Sequence, residues 1–423
     1  MKVTLINTSD AGGGAPAACM RLLNALAPDG VDVHLLAQNK YTAEERVEAV
    51  ADDALGELKA KIDFYCERIP FILFHERDET VRFAFSTAPA GSNISDNHLV
   101  RNADVLHLHW TNSGFLSIKN IRQLIALNKP VVWTLHDMWA FTGGCHYSGD
   151  CDRFLNECGN CPLLKDASDN DISRKGWKRK KELYAGVKNL VFVTCSNWLA
   201  EVARSSSLLK DFRIEAIPNP IDTDLYSPQN KSKARAKLDI AANAKVILFG
   251  AANINHTRKG ITYLVEALYR LKADYPQPGN IEVVIFGKNK GFDIAQIPFK
   301  VHQLGIINSQ SKLAEIYSLA DVFVLPSLED NLPNMVMEAL ACGTPVVAFN
   351  TGGLPDLVDH KQNGYLAAYK SAEDMAKGID FVLNSAEGNM LSSAARNKVV
   401  DNFSNEIVAA KYKALYQSIR SSS

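Results

Sequence analysis

The class of fold follows from residues 321–349, DVFVLPSLEDNLPNMVMEALACGTPVVAF, which predict a strand, a turn, a helix and a second strand. Val322 to Leu325 form a continuous apolar run, which is typical of a buried strand in a parallel sheet. Pro333 suits the first turn of the helix, and Cys342-Gly343 supplies the C-terminal stop. Because Val346 to Phe349 then begin another apolar strand, the segment predicts one β–α–β unit.

A single carboxylate, Glu338, lies in this helix with apolar residues on every side. We therefore expect Glu338 to be largely shielded from water, where a carboxylate without partners is strongly disfavoured. An internal arginine or backbone amides could satisfy it, and so could the hydroxyl groups of a bound ligand. The residues alone leave both interpretations open.

The spacing from Asp330 to Glu338, followed by the sequence ALACGTPVV, resembles the donor-site signature of retaining glycosyltransferases of family 4. The resemblance implies that Glu338 holds the ribose of a nucleotide sugar and that Asp330 lies near the donor sugar. The loop that grips this sugar is implied to be Asn331, Leu332, Pro333 and Asn334. The family usually has Glu at the first position, whereas this chain has Asp330 with Glu329 beside it, so either carboxylate could face the sugar.

Short apolar strands alternate with amphipathic helices through both halves of the 423-residue chain, which predicts an α/β fold with doubly wound parallel sheets. The Pro-Asn-Pro segment at 218–220 disfavours helix and marks a junction between domains 1–218 and 219–404. Residues 41–103 are less regular and are expected to form an insertion. The resemblance implies the GT-B fold, two facing Rossmann-like domains with a central cleft, and a last helix of about 405–420 that packs on the first domain.

The composition limits the partners and the location of the protein. A formal net charge of −1 argues against nucleic acid as a partner, since binding to phosphate backbones needs a concentrated basic surface. No apolar run approaches the roughly 20 residues that span a bilayer, so we expect a cytoplasmic protein. The basic run RKGWKRKK at 174–181 is either a solvated helix face or a peripheral contact with anionic lipid at the inner face of the cell membrane.

Arg258 and Lys259 precede a predicted helix, where the helix dipole already presents positive charge. A bound anion would resolve this conflict, so both residues are candidates for holding the donor diphosphate and stabilising it as it leaves. A solvated basic loop is the alternative. Members of family 4 usually carry an arginine just after the preceding strand, where this chain has Ala251 and Ala252, and Arg258 could substitute for it.

A glycine run, Gly12-Gly13-Gly14, follows the first strand but does not match the dinucleotide-binding pattern. Small residues let the backbone approach a ligand closely, and the resemblance places Gly13 and Gly14 beside the donor phosphates and the acceptor. A surface turn is the other interpretation.

His136 ends a predicted strand at the carboxyl edge of the first sheet, where ligands bind in open α/β sheets. The resemblance implies that His136 contacts the donor sugar near the reacting carbon. A purely structural histidine is the alternative, and His107 and His109 at the end of the preceding strand are secondary candidates.

Four cysteines cluster just after His136 and include one CxxC pair: Cys145, Cys151, Cys158 and Cys161. In a reducing compartment this spacing predicts a structural zinc ion that pins a long loop, with His146 able to replace one cysteine. Disulfides or free thiols are the alternatives.

Together these features predict a retaining glycosyltransferase that moves a sugar from a nucleotide diphosphate sugar to a saccharide or lipid-linked saccharide acceptor. Synthesis of a bacterial surface polysaccharide is the expected setting. The resemblance implies a front-face transfer that needs no cofactor, in which the departing phosphate helps to remove the acceptor proton. A sugar-nucleotide epimerase on the same fold and a non-catalytic nucleotide-sugar-binding scaffold are the alternatives.

Overall fold

The computed structural model describes residues 1–274 and 278–421. They form two compact units, the first of Met1–Pro220 with the C-terminal segment from Val408, and the second of Ile221–Ile407. The junction predicted at residue 218 lies close to this division. Within the described residues, no helix is both long enough and apolar enough to cross a membrane.

The first unit is built on a seven-stranded sheet in the order β3-β2-β1-β4-β5-β6-β7. Its strands are β1 Lys2–Ser9, β2 Asp32–Asn39, β3 Val47–Ala49, β4 Val105–Leu108, β5 Val131–Leu135, β6 Leu190–Thr194 and β7 Ile214–Ala216. Its helices are α1 Gly14–Leu26, α2 Ala54–Phe74, α3 His98–Asn102, α4 Ile118–Ile125, α5 Ile172–Tyr184 and α6 Asn197–Ser205. Each strand pairs in parallel with its neighbours, and the strand order reverses between β1 and β4. Ligands bind at such a reversal in doubly wound sheets.

The second unit is built on a six-stranded sheet in the order β10-β9-β8-β11-β12-β13, again with parallel pairs. Its strands are β8 Lys245–Asn253, β9 Ile281–Lys288, β10 Lys300–Gln303, β11 Val322–Leu325, β12 Val346–Phe349 and β13 Gly364–Ala367. Its helices are α7 Lys231–Ala236, α8 Ile261–Asp274, α9 Gln310–Leu319, α10 Asn334–Ala341, α11 Leu354–Leu357, α12 Ala372–Asn384 and α13 Gly388–Phe403. The strand order reverses between β8 and β11, so the topology again offers a ligand position at the carboxyl edge.

The last helix, α14 (Asn405–Arg420), supplies core residues to the first unit. Val408, Tyr412 and Tyr416 are buried in the apolar cluster that also contains side chains of β1 and α1. One local detail of the second unit differs from expectation, because Pro333 is the N-cap of α10 and not a residue of its first turn. The structure therefore begins this helix one residue later than predicted.

Candidate active site

The loops that follow β8 and β11 bring together two cations and one carboxylate. Lys259 Nζ lies 2.6 Å from Asp330 Oδ2, and Arg258 Nη1 lies 3.2 Å from Asp330 Oδ1. Burial alone would raise the pKa of Asp330, but Lys259 and Arg258 lower it to about 2. Asp330 is therefore ionised at neutral pH, and the three side chains together carry one net positive charge.

Two glycines allow these loops to approach so closely. Gly260 has a φ of 65°, and a Cβ there would lie 2.0 Å from the carbonyl oxygen of Pro326. Gly352 has a φ of 57°, and a Cβ there would lie 2.2 Å from the carbonyl oxygen of Asp330. Any other residue at either position would be strained and would push the loop outward. The two glycines thus fix where Asp330 meets its cations.

The predicted donor loop lies directly at this cluster. Asp330 is only 8% exposed, whereas the neighbouring Glu329 is half-buried. Asn331, Leu332 and Pro333 are buried, and Asn334 is half-buried at the start of α10. In this structure Asp330 pairs with Lys259 and Arg258. The spacing of these residues along the chain did not predict the pairing.

Glu338 lies inside α10 and is 6% exposed, which confirms the predicted shielding from water. Its Oε2 accepts a hydrogen bond of 2.8 Å from the hydroxyl of Tyr317, a fully buried residue of α9. Sequence analysis considered arginine, backbone amides and a ligand as partners and missed this tyrosine. Tyr317 lies in a helix of mixed polar and apolar residues without a distinguishing motif, so nothing in the sequence indicated that its hydroxyl reaches Glu338.

In the first unit, histidines meet at the carboxyl ends of β4 and β5. His109 Nδ1 lies 3.0 Å from His136 Nε2. His107 is fully buried, and its two ring nitrogens lie 2.7 Å from the hydroxyls of Tyr416 and Thr134. Burial lowers the pKa of His107 to about 3 and that of His136 to about 4, and it holds the pKa of His109 well below its usual value. All three imidazoles are thus neutral at pH 7.

The histidines are not equivalent in what they offer a ligand. His136 keeps partial exposure to solvent, whereas His107 and His109 are buried. His109 Nε2 is buried without a hydrogen-bond partner in the part of the chain that the structure describes. His109, a secondary candidate from the sequence, is therefore placed in contact with His136, while the bonds of His107 to Thr134 and Tyr416 suit a structural role.

A further polar group surrounds Asp137, the residue after His136. Asp137 Oδ2 accepts hydrogen bonds from Trp110 Nε1 at 3.1 Å and from His146 Nδ1 at 2.8 Å. The second ring nitrogen of His146 lies 3.0 Å from Ser86 Oγ. His146 therefore uses both nitrogens within the fold, and it does not replace a cysteine as a metal ligand as the sequence had allowed.

The four clustered cysteines have no metal-binding arrangement. Across residues 1–274 and 278–421, no group of three or more His, Cys, Asp or Glu side chains could hold a metal ion. All eight cysteines are free thiols, and burial raises the pKa of Cys158 to about 11 and that of Cys161 to about 12. The prediction of a structural zinc ion at Cys145, Cys151, Cys158 and Cys161 therefore has no support from the structure.

The basic run 174–181 is used largely within the fold. Lys180 is buried with its ammonium 3.7 Å from the ring centre of Trp139, and burial lowers its pKa to about 7. Arg179 donates to two backbone carbonyls, and Arg174 pairs with Glu157. The side chains of the run that remain exposed cations are Lys175, Lys178 and Lys181. These three form a much weaker basic surface than the sequence suggests.

A cavity of about 840 Å³ opens at the carboxyl edge of the first sheet. Its lining includes Thr8 at the end of β1, Asn39 at the end of β2, and Trp110 just after β4. Gly12 also lines it, with a φ of 85° and open space where a side chain would stand. The volume and position are typical of a small-molecule site, and Trp110 is a lining residue that sequence analysis missed.

The predicted glycine contacts are placed next to this cavity. Gly13, with a φ of 138°, is the N-cap of α1, and Gly14 is the first residue of that helix. A second cavity of about 530 Å³ lies in the second unit beside Lys245, Asp321 and Pro345. Because these residues begin or precede β8, β11 and β12, it opens at the amino edge of that sheet, opposite to the Lys259–Asp330 cluster.

Two doubly wound parallel sheets, each with polar groups at its carboxyl edge, define the architecture of a GT-B glycosyltransferase. The structure of HepE from Anabaena, solved with UDP-glucose, has the same fold, with a TM-score of 0.64 and 17% sequence identity over 99% of this chain and 100% of that one. Residues 12–225 match the family model described as Glycosyltransferase Family 4, and residues 244–385 match the one described as Glycosyl transferases group 1. The chain belongs to glycosyltransferase family 4.

Relatives with named activities align over most of the chain. The N-acetyl-alpha-D-glucosaminyl L-malate synthase of Bacillus anthracis is 21% identical over 384 residues, which cover 86% of this chain and 91% of the relative. The D-inositol 3-phosphate glycosyltransferase of Pseudarthrobacter chlorophenolicus is 26% identical over 382 residues, which cover 87% and 81%. These two names refer to different acceptors, so relatives of this kind do not narrow the acceptor of this chain.

Proposed function

We propose that this glycosyltransferase retains the configuration of the donor sugar as it transfers it from a nucleotide diphosphate sugar to a saccharide or lipid-linked saccharide. The observation that carries the proposal is the charged cluster of Arg258, Lys259 and Asp330 at the carboxyl edge of the second sheet. The retaining outcome and a role in surface-polysaccharide synthesis follow from the family resemblance.

The donor would bind in the second unit. The cluster carries one positive charge in excess, which suits the diphosphate and stabilises the negative charge that develops as the nucleotide leaves. The solved complex of HepE with UDP-glucose supports a nucleotide-sugar donor. Glu338 is proposed to hold the ribose, with Tyr317 orienting its carboxylate. Asn331 to Asn334 are proposed to contact the sugar.

The acceptor would bind in the first unit, in the cavity lined by Gly12 and Trp110. The low pKa of His136 leaves its imidazole neutral, so we propose that it contributes a hydrogen bond and not a positive charge to the transfer. Positive charge is then supplied by Arg258 and Lys259. We propose that the transfer uses neither a metal ion nor an organic cofactor.

Replacement of Glu338 tests the donor assignment. A screen of UDP, GDP, ADP and CMP by thermal shift first identifies the preferred nucleotide, because a bound ligand raises apparent stability. Glu338→Ala should then weaken its binding by roughly 10- to 100-fold, as expected for loss of a hydrogen bond to a charged group. Glu266→Ala, which removes an exposed carboxylate of the same unit, is the matched control. Calorimetry that finds equal affinity in Glu338→Ala and wild type would contradict the ribose assignment.

Product analysis tests the reaction itself. A glycosyltransferase releases one nucleoside diphosphate for each acceptor molecule that it glycosylates. An epimerase converts the donor sugar without steady release of nucleoside diphosphate, and a scaffold only binds the donor. The anomeric coupling constant of the product, measured by proton NMR, should match that of the donor. An inverted anomeric centre would reject retention while leaving the transferase assignment intact.

A further inference from the structure

The cavity at the amino edge of the second sheet has the size of a small-molecule site and an excess of positive charge. Its volume is about 530 Å³, within the range of about 300–1,000 Å³ that ligand pockets occupy. Its described lining residues include three cations, Lys231, Lys245 and Arg396, and a single carboxylate, Asp321. The lining therefore has two formal positive charges in excess, which an anionic ligand would balance.

Asp321 offsets little of this charge, because a further cation, Arg235, shares it. Asp321 Oδ1 lies 2.6 Å from Lys231 Nζ, and Asp321 Oδ2 lies 2.8 Å from Nη2 of the buried Arg235. Burial lowers the pKa of Lys231, and the charges of Arg235 and Lys245 lower it further against the opposing charge of Asp321. The cations around the cavity thus repel one another, and a bound anion would relieve that repulsion.

Protein contacts hold two of the cations in place before any ligand arrives. Lys245 Nζ donates a hydrogen bond of 2.8 Å to the carbonyl oxygen of Leu383. The guanidinium of Arg396 donates to three backbone carbonyls at 2.6, 2.8 and 2.7 Å. Lysine has three N–H donors and arginine has five, so both side chains retain donors for a ligand. Because their positions are already fixed, an anion would bind with little loss of side-chain freedom.

One wall of the cavity is a polar face of helix α13. Asn389, Ser392, Ser393 and Asn397 line this wall, and their spacing of three or four residues places them on the same side of the helix as Arg396. Hydroxyl and amide groups both donate and accept hydrogen bonds, as the hydroxyl groups of a sugar do. The wall therefore favours a ligand that carries hydroxyl groups beside its charge.

The amount of charge distinguishes between classes of anion. A phosphate monoester carries a charge of about −1.5 to −2 at pH 7 and three acceptor oxygens, which is more than a single carboxylate offers. The planar guanidinium of Arg396 matches the geometry of a phosphate, and Lys231 and Lys245 supply compact charges. A phosphate monoester is thus the better match for two excess positive charges.

We propose that this cavity is a second ligand site of the chain and that it binds the phosphate monoester of a sugar or another polyol. The phosphate contacts Lys245 and Arg396, and the hydroxyl groups contact the polar face of α13. The site is separate from the one proposed for the donor, because β8 begins at Lys245 and its nine residues span roughly 25 Å towards the loop of Arg258 and Lys259. The inference therefore stands independently of the proposed function.

Isothermal titration calorimetry with the full chain tests the site. The probes are glucose 6-phosphate, fructose 6-phosphate and glycerol 3-phosphate, each compared with its unphosphorylated counterpart and with inorganic phosphate. At least one phosphorylated probe should bind with a Kd below about 1 mM. Its counterpart and inorganic phosphate should each bind at least about tenfold more weakly, since the first lacks the charge and the second lacks the polyol hydroxyls.

Two variants with matched controls locate the binding in the cavity. Lys245→Gln removes one lining charge and should weaken binding by roughly 10- to 100-fold. Its control is Lys272→Gln, because Lys272 also donates to a backbone carbonyl of the second unit at 2.8 Å. Asn397→Asp adds a negative charge at an exposed lining position and should weaken binding at least about threefold. Its control is Asn402→Asp, the same change at an exposed position of the same helix.

Weaker binding in both cavity variants, with both controls like wild type, supports the proposal. If Lys245→Gln does not fold, as judged by circular dichroism, Asn397→Asp decides by the same criterion. The proposal is overturned if no phosphorylated probe binds, if inorganic phosphate or an unphosphorylated counterpart binds as tightly, or if the folded cavity variants bind like wild type. It is also overturned if Lys259→Ala abolishes binding while Lys245→Gln does not, because the phosphate would then occupy the proposed donor site.

Discussion

The polar groups at the carboxyl edges of the two sheets differ in charge although they occupy equivalent positions in their folds. In the second unit, Asp330 is paired with Arg258 and Lys259, which lower its pKa to about 2. In the first unit, His109 and His136 contact each other as neutral rings. Equivalent topology thus provides one position suited to an anion and another suited to neutral hydroxyl groups.

This difference has a physical origin in what surrounds each cluster. In the second unit, glycines bring two loops together, so Arg258 and Lys259 stay within hydrogen-bonding distance of the buried Asp330. His107 packs beside the tyrosines of α14, His109 packs against His107, and His136 packs against His109. Charging an imidazole in this buried group would be costly. Burial makes the histidines neutral even though Asp137 lies next to His136, whereas two cations keep the buried Asp330 strongly acidic.

The largest expected effect is on the pH dependence of local stability. A histidine whose pKa is lowered in the folded state takes up its proton on unfolding, so stability falls as pH drops from about 6.5 towards 4, by about 1.4 kcal/mol per pH unit for each. His107, His109 and His136 act this way in the first unit, and among the described residues of the second unit His256 does. Asp330 stabilises the fold above about pH 3.8, and this stabilisation is lost only as the pH falls towards 2.

Hydrogen exchange, corrected for intrinsic rates, measures the local stability at each pH in peptides that cover β4–β5 and β11. Protection should fall more for β4–β5 between pH 7 and pH 5. His107→Gln keeps hydrogen-bonding atoms but removes one titrating group, so its pH slope should be shallower than that of wild type. Equal loss of protection in both sheets would break the contrast between a neutral and a charged cluster.

The sequence predicted the fold more completely than the contacts within the site. β11 and β12 match their predicted bounds because apolar runs and neighbouring Gly or Pro residues determine them locally. The edge strands β10 and β13 were not predicted, because each has only four residues and β10 is polar at three of its four positions.

Contacts that depend on distant parts of the chain were beyond sequence reasoning. Tyr416 meets His107 across 309 positions, and no local pattern selects that pair. The helical spacing of apolar residues in α2 is visible in the sequence, but it indicates a buried face. The exposed side chains of Leu55, Ile62 and Leu73 show instead that this face of α2 points outward.

Removing one cation of the second unit is expected to have a smaller effect than the pH change, and the effect is on nucleotide binding. Lys259→Ala should weaken binding of the preferred nucleoside diphosphate by roughly 10- to 100-fold, since a charge-assisted hydrogen bond is lost and Asp330 offsets the remaining positive charge of Arg258. The loss should shrink at high salt. Lys290→Ala, an exposed lysine in the same unit, is the control.

His136→Ala completes this comparison, because it should slow transfer while leaving the affinity for the nucleoside diphosphate within about twofold. If His136→Ala weakened that affinity as much as Lys259→Ala, the division into an anion-binding and a neutral cluster would be wrong.

The smallest effect is expected on the free energy of unfolding when either of two buried tyrosine hydroxyls is removed. Tyr317 donates to the carboxylate of Glu338 at 2.8 Å, and the Tyr416 hydroxyl lies 2.7 Å from a ring nitrogen of the neutral His107. Hydrogen bonds to charged groups contribute about 1.5–3 kcal/mol and neutral ones about 0.5–1.5 kcal/mol. Tyr317→Phe should therefore reduce the free energy of unfolding more than Tyr416→Phe, as measured by urea denaturation. Since both changes remove one oxygen atom from a buried ring, the lost packing is matched and the difference reports the charge of the acceptor. A larger loss for Tyr416→Phe would mean that the histidine cluster is not neutral.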